Sequence, residues 1–147
     1  MAKSKKPPEY VFADVSTHPF PFTVLFMAGN WKAAAGNIDN ILEDKRNPDG
    51  KPSEKVLQAI EATDFADDDC QAITIFNPEL LNNVVIIVAR SPQPSLNVIV
   101  HECLHATMTI LDRVGCKDVN HETDAYLLEH MVEVCVNATG ENKWHIK

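Results

Sequence analysis

Between Asn97 and Gly115 the chain runs NVIVHECLHATMTILDRVG, and this stretch constrains the fold more than any other. Val98, Ile99, Val100, Cys103, Leu104, Met108, Ile110, Leu111 and Val114 fall nearly all round a helical wheel, the pattern of a helix held inside its domain. Gly115 supplies a stop just after the last of them. An apolar helix tolerates ionisable groups only where they have partners, yet this one carries His101, Glu102 and His105. Residues four apart on a helix differ by about 40° around the axis, so His101 and His105 point the same way, one turn apart. Two imidazoles so placed can hold one Zn²⁺, each nitrogen roughly 2.0–2.1 Å from the ion. Glu102, in the second position of this H-E-x-x-H motif, then stands beside the metal, where a carboxylate takes a proton from an activated water and passes it on. Cys103 faces away from that side and reads as a small core residue.

A chain of 147 residues with 45% apolar content is one domain by size and buries a real core. The formal net charge of −8 argues against phosphate-backbone binding, so no nucleic-acid partner is expected. MAKSKKPPEY carries positive charge without an apolar run behind it, unlike a secretory signal. The longest apolar run, Val84–Ala89, is far too short to span a bilayer. The expectation is a soluble, cytoplasmic protein with no membrane partner. In that compartment the scattered Cys70, Cys103, Cys116 and Cys135 are free thiols.

Along the chain, residues 1–8 read as a disordered basic tail, 9–140 as the folded domain and 141–147 as a second tail, whose Trp144 can pack back. Strands are expected at Tyr10–Val15, within Phe20–Met27, at Gln71–Phe76 and at Asn83–Ala89, the last apolar enough to be covered on both faces. Asn30 is placed to cap a helix from Trp31 to about Asp44 with Ala34, Ile38, Ile41 and Leu42 on one side. Asn47–Gly50 has turn composition, and Pro52-Ser53 opens another helix with Val56, Leu57 and Ile60 on one face. The acidic cluster Asp64, Asp67, Asp68 and Asp69 lacks the spacing and glycine of a calcium loop and reads as a solvated loop. Ser95 is a candidate cap for the motif helix.

A last helix is expected from about His121 to Val136. Its apolar face is Ala125, Leu128, Val132 and Cys135, broadened by Leu127 and Met131; Glu122, Tyr126, His130 and Glu133 recur on the other side. A catalytic zinc usually takes three protein ligands and leaves one place for water, so two histidines are not yet a site. A turn between Val114 and His121 would bring the start of the last helix near the motif. His121, Glu122 and Asp124 are the candidates there, with Asp118 in the turn itself.

H-E-x-x-H followed by a second helix bearing a glutamate resembles the gluzincin branch of zinc metallopeptidases. HECLHATMTIL with NHETDAYLLEHMVE resembles, more narrowly, small bacteriophage-encoded zincin-like proteins, in whose second helix Glu-x-x-Ala-Tyr-Leu matches Glu122–Leu127. The resemblance covers the last third to half of the chain. It implies a zinc cofactor with His101, His105 and Glu122 as ligands, Glu102 as general base, and a peptide or protein substrate in the host cytoplasm. Gluzincins carry a small or polar residue and then an aspartate three and four positions after that glutamate. Here those positions are Ala125 and Tyr126, so a supporting carboxylate must come from elsewhere. His121, next to Glu122, leaves a three-histidine set open as an alternative. Tyr126, one turn after Glu122, is a candidate donor to the oxyanion of a tetrahedral intermediate, or else a tyrosine at the edge of the core. His130 reads as a partly exposed histidine.

The expected fold is therefore α+β: a minimal zincin-like domain whose small mixed sheet packs on the motif helix, with a second ligand-bearing helix after it. An edge strand of that sheet would lie along the cleft, where an extended peptide can pair with it. The expected function is zinc-dependent hydrolysis of a peptide bond. The alternative is a zincin-fold binding module, a phage accessory protein that keeps zinc as a structural pin and binds a host or virion protein without hydrolysing it.

Overall fold

The computed structural model describes residues 10–38, 51–65, 69–115 and 121–140. The expected tails, the turn at 47–50, and Ile41, Leu42, Asp67, Asp68, Cys116, Asp118 and Trp144 lie outside the described residues.

Four strands, β1 (Tyr10–Ser16), β2 (Thr23–Gly29), β3 (Ala72–Ile75) and β4 (Val84–Ala89), form one sheet in the order β1-β2-β4-β3. β1 runs antiparallel to β2, β2 parallel to β4, and β4 antiparallel to β3. All six residues of β4 are buried, which the unbroken apolar run required of a strand covered on both faces. The pleat sends alternate side chains into two cores. Val24, Phe26, Val85 and Ile87 enter one, and Leu25, Met27, Ile86 and Val88 the other. Burying each of the larger of these side chains contributes about 1.5–3 kcal/mol, so the two central strands anchor the molecule.

The second core is closed by α1 (Trp31–Ala34), its continuation as a tighter 3₁₀ turn (Ala35–Asn37), α2 (Pro52–Glu61) and Phe65. Asn30 caps α1 as expected, its side-chain oxygen accepting from the Ala33 N–H at 3.2 Å. The helix tightens at Ala35 instead of running on unbroken, where Gly36 weakens the helical preference. Pro52 opens α2, and Val56, Ala59 and Ile60 are its buried residues.

The first core lies under α3 (Leu96–Val114) and α4 (Glu122–Ala138). Ser95 caps α3 by accepting from the Val98 N–H at 3.3 Å, and Gly115 ends it in the left-handed region at φ 71°. α3 is not buried all round. Ile99, Cys103, Ala106, Ile110 and Leu111 face the core, whereas Val100, Leu104 and Met108 are exposed. One sheet face and one neighbouring helix cover only part of a helix's circumference, whatever its composition. On α4 the buried line is Leu127, Met131 and Cys135, with Leu128 and Val132 half-buried and Ala125 exposed. The apolar stripe of α4 is wide, and packing centred it one residue away from the expected line. No helix among the described residues is long and apolar enough to cross a membrane.

Among the described residues the architecture is thus a mixed α+β fold: a four-stranded mixed sheet with two helices on each face. α3 lies toward the β4–β3 side of the sheet and α4 toward β1.

Candidate functional site

Among the described residues β3 is an edge strand, paired with β4 on one side only. Its alternation turns Ala72 toward the α3 core and packs Ile73 and Ile75 with the other. Thr74, on the Ala72 face, reaches α3: its hydroxyl lies 2.5 Å from Glu102 Oε2 and 3.1 Å from the Glu102 main-chain oxygen. Glu102 is only 7% exposed, one of the few buried charged or polar side chains among the described residues, and this bond supplies the partner that its burial demands.

His101 and His105 stand on the exposed side of α3, one turn apart, as the spacing requires. Their rings meet edge to face with centroids 4.7 Å apart, and their Nε2 atoms are 3.1 Å from each other. Two nitrogen ligands held by one tetrahedral ion at roughly 2.0–2.1 Å lie about 3.3–3.4 Å apart, so the pair is already close to the spacing such an ion needs. A hydrogen bond between the two rings uses one nitrogen as donor and the other as acceptor, and the shared proton is the one a metal displaces. Two imidazoles open to solvent are donors of the type zinc takes and would fill two of its four places.

Two shallow hollows flank Glu102 along the seam between β3 and α3. One, about 300 Å³, is lined by Gln71, Ala72, Asn97, Val98, His101 and Glu102. The other, about 250 Å³, is lined by Ala72, Ile73, Thr74, Glu102, His105 and Thr109. Together they make a groove that runs beside the free edge of β3 and passes both histidines.

The remaining candidates are not gathered there. Among the described residues no group of three or more His, Cys, Asp or Glu side chains is placed to hold one metal ion, so Glu122 does not join His101 and His105 in this structure. His130 bonds the main-chain oxygen of Ser16 through Nε2 at 3.1 Å, which turns its side of α4 toward β1, the far edge of the sheet from β3. Tyr126 and Glu122, one and two turns earlier, share that side to within about 80°. Tyr126 is 68% exposed, and it does not line the groove beside Glu102. His121 stands at the N-cap position of α4 in the left-handed region at φ 57°, with no side-chain cap bond but with Nδ1 at 3.2 Å from Asp124 Oδ2, so these two alternatives for the third ligand engage each other.

The sequence reading missed Thr74. Its alternation with Ile73 and Ile75 was visible, but nothing in the sequence set this strand against a helix 28 residues further on. Comparison of the chain with protein-family models, with curated proteins and with solved structures finds no match.

Proposed function

We propose that this chain is a zinc-dependent hydrolase acting on peptide bonds, with His101 and His105 as metal ligands and Glu102 as general base. Glu122 is the carboxylate proposed to complete the ligand set, with His121 and Asp124 as the alternatives on the same first turn. The observation that carries the reading is the pairing of two solvent-facing Nε2 atoms at 3.1 Å beside a buried carboxylate. Zinc held by these residues would supply Lewis acidity to polarise the scissile carbonyl and acidify the attacking water.

The chain's own residues account for the rest. The free edge of β3 offers main-chain donors and acceptors to an extended peptide, which would then lie along the groove between β3 and α3. The Glu102 carboxylate accepts a proton from the water as its oxygen bonds to the carbonyl carbon. It returns that proton to the amide nitrogen as the C–N bond breaks, so acid and amine leave with every proton placed. The net charge of −8 suits a peptide substrate better than a nucleic acid.

The test is hydrolysis of fluorescein-labelled casein by zinc-reconstituted protein, with activity lost on chelation and restored by zinc. The alternative is a zinc-pinned binding module, whose metal would be closed off by a fourth protein ligand instead of holding a water. Full zinc occupancy with no cleavage of any peptide offered would favour that module over the hydrolase.

A further inference from the structure

We infer that Thr74 is the positioning residue for Glu102, reaching the general base from the edge strand beside which a peptide would lie. The inference rests on the reading of Glu102 as base given above, and it adds a residue that the H-E-x-x-H motif does not contain.

Thr74 sits on the edge strand, opposite Ile87 of β4 in the sheet register. That pairing fixes its height and its face, because a slip of one residue would turn it away from α3. Its hydroxyl has one proton and two acceptors within reach: Glu102 Oε2 at 2.5 Å and the Glu102 main-chain oxygen at 3.1 Å. The shorter contact is in the range of a charge-assisted O–H···O⁻ bond, so the hydroxyl donates to the carboxylate. Among the described residues Thr74 is the one hydrogen-bond partner of that carboxylate. A carboxylate held by one oxygen cannot swing freely about its terminal bond. The other oxygen is left to accept the proton of the attacking water.

Proton transfer needs heavy atoms within about 2.6–3.2 Å of each other. A base displaced by 1 Å or so can lose about 100-fold in rate, and a hydrogen bond from a supporting residue is a usual way to prevent this. The same hydroxyl also ties β3 to α3. The contact links the strand edge that a peptide would pair with directly to the carboxylate that would serve its scissile bond, beside the packing of Ala72 into the same core.

The experiment compares Thr74→Val, which keeps shape and removes the donor, with Thr74→Ser, which keeps the donor. In zinc-reconstituted protein, Thr74→Val should lower kcat on fluorescein-labelled casein by about 10–100-fold, with KM and zinc affinity within about twofold of wild type. Thr74→Ser should recover most of that loss. A residue that merely stitched strand to helix would lower Tm and leave kcat of the folded protein unchanged. A second readout needs no activity: the side-chain carboxyl ¹³C resonance of Glu102, assigned by its disappearance in Glu102→Gln and recorded at one pH without metal. It should move in Thr74→Val and return in Thr74→Ser. An undiminished kcat or an unmoved resonance in Thr74→Val overturns the inference. If the wild type cleaves nothing, the hydrolase reading fails, and the resonance still decides whether Thr74 positions the carboxylate.

Discussion

Cys103 of α3 and Cys135 of α4 meet sulfur to sulfur at 3.9 Å in the core between the two helices. Both are fully buried, and both are free thiols. The contact with Cys103, and then burial, push the Cys135 thiol far above its ordinary range. It stays protonated in the folded protein at pH values where the unfolded chain ionises. The stability this contributes is fully present below about pH 8.5, the unfolded thiol's range, and is lost progressively as pH rises above it. Urea unfolding between pH 7 and 10.5 should show that decline, at up to about 1.4 kcal/mol per pH unit from this group. Cys135→Ala should start less stable at pH 7 and fall less steeply above pH 9. An equal slope in both proteins would remove Cys135 as the cause.

Glu102 is assigned to proton transfer and not to metal ligation. Glu102→Gln keeps the shape and removes the base, so zinc should remain bound while hydrolysis of labelled casein falls by about 10²–10⁴-fold. The amide can still meet the Thr74 hydroxyl through its oxygen, so the fold should persist, with Tm close to wild type. Loss of zinc from a folded Glu102→Gln would make this residue a ligand.

The third ligand separates two versions of the site. Adjacent helical residues point about 100° apart, so His121 and Glu122 cannot both face one ion from an undistorted first turn. Glu122→Ala should weaken zinc binding strongly. His121→Ala should change it by 10–100-fold at most, through its bond to Asp124. Competition titrations with a zinc-sensitive dye at one pH measure both. The opposite ranking would indicate a three-histidine site and leave the role of Glu102 standing.

Gly115 ends α3 at φ 71°, with open space where a Cβ would stand. The cost of substitution there is therefore backbone strain and not a clash. Gly115→Ala should destabilise by roughly 1–2 kcal/mol, or about 3–6 °C in Tm for a chain of this size. Gly115→Asn should lose less, because asparagine enters the left-handed region more readily. Equal Tm values for all three proteins would contradict the cap.

What the sequence made legible was periodic. The β2 and β4 runs, the Ser95 and Asn30 caps, the stop at Gly115 and the alignment of His101 with His105 each follow from spacing or from one residue's local chemistry. What stayed hidden depended on distant pairing. Thr74 acquires its place only when β3 reaches the edge beside α3, across 28 residues. The rotation of α4 likewise answers to its neighbours. Its apolar stripe fits more than one orientation, and contacts such as His130 with Ser16 select the one observed. This is why the two histidines of one helix align as their spacing requires, whereas the direction in which Glu122 is turned on the next helix does not follow from spacing alone.

Metal content tests the central claim most directly. Protein purified without chelators, or reconstituted and desalted, should carry about one zinc per chain by elemental analysis, and chelation should lower its Tm. His101→Ala and His105→Ala should each lose the metal and the chelator-sensitive part of the melting transition. Metal-free protein whose melting curve does not respond to added zinc, with His101→Ala indistinguishable from wild type, would contradict the account.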